Sequence, residues 1–220
     1  MLIKTEALVL KKIPYGENSA VVHLFCQSHG ILPFMFSGVQ GKKGKSALLR
    51  PGTFVEIVFN FTERQNILRA KEVKAVEPFM TEDFMASNTA LVCTELIRNT
   101  LPDAMPDENL FLTAKTDFAR LFRRSENDLW FLQRFMLKLC EAAGHGLSNN
   151  NADLQSAWSN RSIDQDSFKL LTALLDNQSP LADRPTRRKL AETLIAYMCE
   201  VVFPGKDVRT FRVMLDVLDN

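Results

Sequence analysis

The sequence predicts an α+β protein, with a small closed five-stranded β-barrel at the N-terminus and an all-α helical bundle after it. Three observations predict this. Five β-type segments separated by glycine- and proline-bearing bends fall within residues 1–80. The hydrophobic period changes from two to 3.6 at Pro78. Closure of so many short strands removes exposed edges, which is the economical solution for a small sheet. These signals set the expected domains at 1–79 and 80–220.

Ile3–Pro14 is the first strand, with Ala7 and Val9 on one side and Leu8 and Leu10 on the other. Pro14-Tyr15-Gly16-Glu17-Asn18 is turn chemistry, and Ala20–Cys26 is the second strand, closed by Ser28-His29-Gly30. Ile31–Ser37 is the third strand. Phe54–Phe61 follows Pro51-Gly52 as the fourth, and Ile67–Val76 alternates as the fifth. Thr81-Glu82-Asp83 then reads as a helix start with acids in its first turn. The first helix ends before Leu101-Pro102. The second begins near Asp107 and carries Leu110, Ala114, Phe118, Leu121 and Phe122 at helical spacing. A third, about 127–143, is apolar almost all round and reads as the centre of a bundle. Gly144-His145-Gly146 ends it, and 148–160 reads as polar loop. Helices from about Asp164 to Asn177, from Pro185 to the break at Pro204-Gly205, and from Val208 to Leu218 complete the chain.

Charge is informative only in its distribution. The formal net charge is +1, yet residues 1–80 hold 11 Lys/Arg against 6 Asp/Glu, leaving 16 against 20 for the remainder. That split predicts an N-terminal part that faces nucleic acid. Its focus is the loop Gly38-Val39-Gln40-Gly41-Lys42-Lys43-Gly44-Lys45-Ser46, followed by Arg50. A cationic loop between apolar strands suits a phosphate backbone held without base readout. Gly44-Lys45-Ser46 also matches the tail of a nucleotide-binding P-loop. That motif needs a glycine five residues before Gly44, where Val39 stands, and a helix after the lysine, where Ala47–Arg50 runs into Pro51-Gly52. Lys11, Lys12, Arg64, Arg69, Lys71 and Lys74 extend the set of candidate phosphate contacts. Tyr15, Phe34 and Phe36 are candidate stacking platforms, although Phe34 and Phe36 fit a barrel core equally well.

No catalytic constellation emerges. His23, His29 and His145 lack metal-ligand spacing, and His23 reads as a packed or surface residue. Asp103, Asp107 and Glu108 sit near a helix start, where capping accounts for them. Cys26, Cys93, Cys140 and Cys199 are dispersed among apolar neighbours and read as buried free thiols, with no zinc site and no disulfide expected. Met1-Leu2-Ile3 is followed at once by Lys4 and Glu6, and no apolar run approaches the ~20 residues that span a bilayer, so a cytoplasmic protein without a membrane partner is expected.

The ordered set Ala7-Leu8-Val9-Leu10, Tyr15-Gly16-Glu17-Asn18, Leu24-Phe25, Gly30, Gly38, Lys45-Ser46, Leu49 and Pro51 resembles the OB-fold domain of the DNA repair protein RecO family. Arg134-Phe135, Gly144-His145-Gly146 and Tyr197 with Pro204-Gly205-Lys206 are similar to that family's helical region. The resemblance implies a non-enzymatic recombination mediator that uses no cofactor. It implies binding to single- and double-stranded DNA, strand annealing, engagement of the single-stranded DNA-binding protein's C-terminal tail, and RecA loading with RecR at the bacterial nucleoid. Lys42, Lys43, Lys45 and Arg50, with Lys11, Lys12 and Lys71, would grip phosphates. Arg134 and Lys138 would receive the acidic tail, although Arg134 is equally readable as an arginine at the edge of a core helix. Many members carry a four-cysteine zinc module after the glycine pair. Here 147–166 holds no cysteine or histidine, so the chain resembles a zinc-free branch with 148–160 in the module's place. The alternatives are a protein-binding adaptor without direct DNA binding and a P-loop-like NTPase.

Overall fold

In the computed structural model, residues 1–39, 45–61, 66–76, 83–123, 128–158 and 163–219 are described. The five strands are β1 (Leu2–Tyr15), β2 (Ser19–Cys26), β3 (Gly30–Ser37), β4 (Phe54–Asn60) and β5 (Leu68–Ala75). They close into a barrel in the order β1-β2-β3-β5-β4, the arrangement of an OB fold. All neighbours are antiparallel except β3 and β5, which meet in parallel over Phe34↔Leu68 and Met35↔Arg69.

Both faces of β1 are buried over residues 7–10, which explains the unbroken apolar run Ala7-Leu8-Val9-Leu10. Ala7 and Val9 point into the barrel with Val22, Leu24, Ile57 and Phe59. Leu8 points outward, level with Phe25 on β2 and Phe54 on β4, and this row is covered by α2. Phe111 of that helix meets Phe25 and Phe54 edge-on at 5.5 and 5.8 Å, and Phe118 meets Phe54 at 5.8 Å. Each such ring contributes roughly 1.5–3 kcal/mol of burial. Phe34 and Phe36 are barrel core, 0% and 2% exposed, which leaves Tyr15 as the exposed ring of the three candidate platforms.

Helices α1 (Phe84–Thr100), α2 (Glu108–Arg123), α3 (Phe131–Ala142), α4 (Asn151–Ala157), α5 (Gln165–Leu175), α6 (Arg184–Tyr197) and α7 (Arg209–Asp219) follow. The chain forms two compact units, one of residues 1–126 with 209–220, the other of residues 127–208. In the first, α1 starts at Asp83, whose carboxylate accepts from the Met85 and Ala86 amides at 2.8 and 3.2 Å. Glu95 of α1 accepts from the Thr210 amide and hydroxyl of α7. Lys115 of α2 pairs with Glu6 of β1 at 2.6 Å.

In the second unit, α5 starts on Asp164 and α6 on Asp183, each accepting from an amide three residues on. The stretch 148–160, read as loop, holds α4. Its anchors are Leu154 and Trp158, one turn apart and both buried, with the Trp158 ring 5.1 Å from that of Tyr197. After Tyr197 the helix widens into a π-turn over Met198–Val202, closed by the Phe203 amide on Met198 O at 2.9 Å.

Candidate nucleic-acid interface

The start and end of the cationic loop are tied to the barrel. The Val39 amide donates to Asn18 O at 3.2 Å, and the Val39 side chain is buried. At the other end Lys45–Leu49 forms one turn, with the Leu49 amide on Lys45 O at 3.1 Å and the Leu49 side chain fully buried. Gly52 N donates to Val9 O at 2.8 Å and Val9 N to Thr53 O at 2.9 Å, stitching this turn to β1 beside its bulge between Val9 and Lys11. Among the described residues no helix follows Lys45-Ser46, which is the element a P-loop lysine opens.

Lys12 joins the loop to the strand, its Nζ donating to Ser46 Oγ at 2.8 Å. Opposite residues on an antiparallel pair share a face. Lys12 opposes Val22 of the barrel interior and so lies at the barrel mouth, whereas Lys11 opposes His23 on the outer wall. Arg50 is exposed and Lys45 half-buried, both in the loop's closing turn. Lys71 is exposed on β5, where the register with β4 slips between Val58 and Phe59 and leaves it unopposed. Among the described residues, no carboxylate lies within ion-pair distance of Lys11, Lys12, Lys45, Arg50 or Lys71. Lys74 differs, pairing with Glu72 at 3.4 Å, and Lys4 pairs with Glu56 at 3.0 Å. Lys42 and Lys43, together with Arg64, lie outside the described residues.

Arg134 and Lys138 stand one turn apart on α3, in the unit formed by residues 127–208. The Arg134 guanidinium donates to Asp128 Oδ1 at 2.6 Å, to Gln178 O at 2.9 Å and to Ser179 Oγ at 2.7 Å. It therefore clamps the turn before α3 to the turn after α5, and three of its five N–H groups are already used. Trp130 makes a parallel tie, its Nε1 on Pro180 O at 2.9 Å.

The cysteines are free, with Cys26, Cys93 and Cys140 buried and Cys199 half-buried. Burial pushes all three buried thiols up, Cys140 to about 12. Among the described residues no group of three His, Cys, Asp or Glu could hold a metal ion, and no helix is long and apolar enough to cross a membrane.

Residues 1–79 match the family model described as recombination protein O N terminal. Over these residues the chain carries a domain of the RecO N-terminal type. It is 30% identical over 121 residues to the DNA repair protein RecO of Flavobacterium psychrophilum, covering 53% of this chain and 51% of that protein. It is 28% identical over 115 residues to that of Phocaeicola vulgatus, covering 50% and 48%. Against Xylella fastidiosa RecO the figures are 28% over 151 residues, 67% of this chain and 61% of the relative. The matches span about half the length of these curated RecO relatives. The barrel is thus the part of the chain where the fold, the family match and the cations that have no carboxylate partner among the described residues coincide.

Proposed function

We propose that this chain is a non-enzymatic, DNA-binding recombination mediator of DNA repair, acting at the bacterial nucleoid. Lys11, Lys12, Lys42, Lys43, Lys45, Arg50 and Lys71 contact the phosphates of single- and double-stranded DNA. Neutralising two strands at once lowers their mutual repulsion, which is the physical basis for annealing. With RecR the chain assists RecA loading, and the single-stranded DNA-binding protein's acidic tail docks at Arg134 and Lys138. The zinc module of other members is replaced by α4, whose Leu154 and Trp158 supply apolar burial where the metal would have supplied ligand bonds.

The observation that carries this reading is the group of carboxylate-free cations on a RecO-type barrel. The test is fluorescence anisotropy with a labelled single strand across a salt series. Seven phosphate contacts correspond to a log–log slope of about −5 on a single strand, and Lys12→Gln with Lys45→Gln should flatten it by about 1.4. Absence of binding at low salt refutes the reading, and tail-peptide binding in its place supports the adaptor. The tail site needs its own probe, because Arg134→Ala also cuts the clamp on Asp128. Lys138→Gln weakens tail binding without touching that clamp.

A further inference from the structure

The outer wall of the barrel carries a second cationic cluster, built on β1, β2 and α1. His23 lies on β2 between Val22 and Leu24, both barrel core, so it points outward. It faces Lys11 on β1 and Pro33 on β3 in register. Arg98, in the last turn of α1, is the other cation that faces it, close enough to disfavour its protonation. The imidazole is held below the ordinary histidine value by burial, then by Arg98, with Lys11 adding to both. One carboxylate opposes them. Asp103 is fixed beside the start of β3 through its bridge to Ile31, and it favours the proton. Among the described residues His23 has no hydrogen-bond partner, and neither Arg98 nor Lys11 has an ion-pair partner.

Three nitrogen groups set against a single carboxylate, Asp103, leave an excess of positive charge that seats an anion. The adjoining outward row holds exposed Ile13, opposite Val21, and beyond it the exposed ring of Tyr15. A cationic cluster beside an apolar and aromatic platform matches a single strand, with a phosphate on the charges and a base on the ring. We propose that His23, Arg98 and Lys11 form a phosphodiester-binding site on the outer barrel wall, in which His23 takes up a proton when the strand binds. This rests on the DNA-binding reading above and adds residues and a proton linkage to it. The bound phosphate offsets the repulsion that keeps the imidazole neutral, so the complex holds a proton that the free protein does not. Affinity for single-stranded DNA therefore rises as pH falls toward the histidine range.

The test titrates the full chain with a labelled oligonucleotide of about 20 nucleotides, by anisotropy, between about pH 8 and about pH 5.5. The unaltered chain should gain several-fold in affinity over this range. His23→Gln should remove that gain and Arg98→Gln should weaken binding about 3–10-fold with a salt slope flatter by about 0.7. Asp103→Asn should strengthen it. In parallel, the His23 ring is titrated by NMR, and its pKa should rise when the oligonucleotide is added. Circular dichroism melts identify any variant that fails to fold, in which case the ring titration on the unaltered chain decides. If the chain binds DNA with no pH dependence beyond that of His23→Gln and the ring titration does not move, the site is refuted while the DNA-binding reading stands. If it binds no DNA at low salt, the reading beneath fails first.

Discussion

Gly30 is where the connection between α1 and α2 lies against the barrel, and replacing it tests that packing. It sits at φ +69°, and a Cβ there would be 2.5 Å from the carbonyl carbon and 2.6 Å from the amide nitrogen of Met105. These are backbone atoms, so no rotamer change relieves the clash. The connection must move, breaking the bond from the Ala104 amide to Ile31 O at 3.0 Å. A left-handed alanine costs about 1–2 kcal/mol, and the lost hydrogen bond adds about 1 kcal/mol. Gly30→Ala should therefore destabilise the fold by about 2–3 kcal/mol. Gly38→Ala is the control, since it shares the backbone conformation at φ +68° but a Cβ there meets nothing within 4 Å. It should cost about 1–2 kcal/mol. Urea unfolding followed by circular dichroism measures both, with hydrogen exchange of barrel amides as the local readout. Equal losses for the two variants would refute the placement of Met105 against β3.

Three further outcomes are expected. Arg134→Ala removes a 2.6 Å ion pair and two hydrogen bonds from a side chain that is 25% exposed, so it should cost about 1.5–3 kcal/mol in urea unfolding followed by tryptophan fluorescence, and Arg134→Lys less. In the folded chain an aromatic disulfide reagent at neutral pH should titrate Cys199 first, with Cys26, Cys93 and Cys140 reacting only after denaturant, because burial holds those three as thiols. His23 has a folded pKa below its unfolded value of 6.5, so its contribution to stability is present above that value and lost as pH falls below it. Melting temperature of the free protein should fall in that window, and less so for His23→Gln.

The strands were legible because turn-forming residues such as Gly16, Ser28, Gly38, Gly52 and Asn60 separate them, and their limits differ from the sequence reading by a residue or two. The parallel meeting of β3 and β5 was not legible, since it depends on closure over long separation and leaves no local pattern. Nor did the sequence distinguish Leu8 and Phe54 as outward-facing, because the helix that covers them makes the wall apolar on both sides. Helix α4 escaped because only Leu154 and Trp158 anchor it within a run of polar residues, too few for a period to show. At the site, the loop stood out through its glycines and lysines, but its tie to Lys12 is a tertiary contact. Arg134 was open between a receptor and a structural role, and the structure gives it structural partners that lie 44 and 45 residues away. His23 read as a packed or surface residue because Arg98, which gives it meaning, lies on a helix far along the chain.

The most direct test of the account is the salt dependence of single-stranded DNA binding by the unaltered chain. Seven phosphate contacts predict binding at low salt that weakens with a log–log slope of about −5. Binding that is absent at low salt, or that is indifferent to salt, would contradict it.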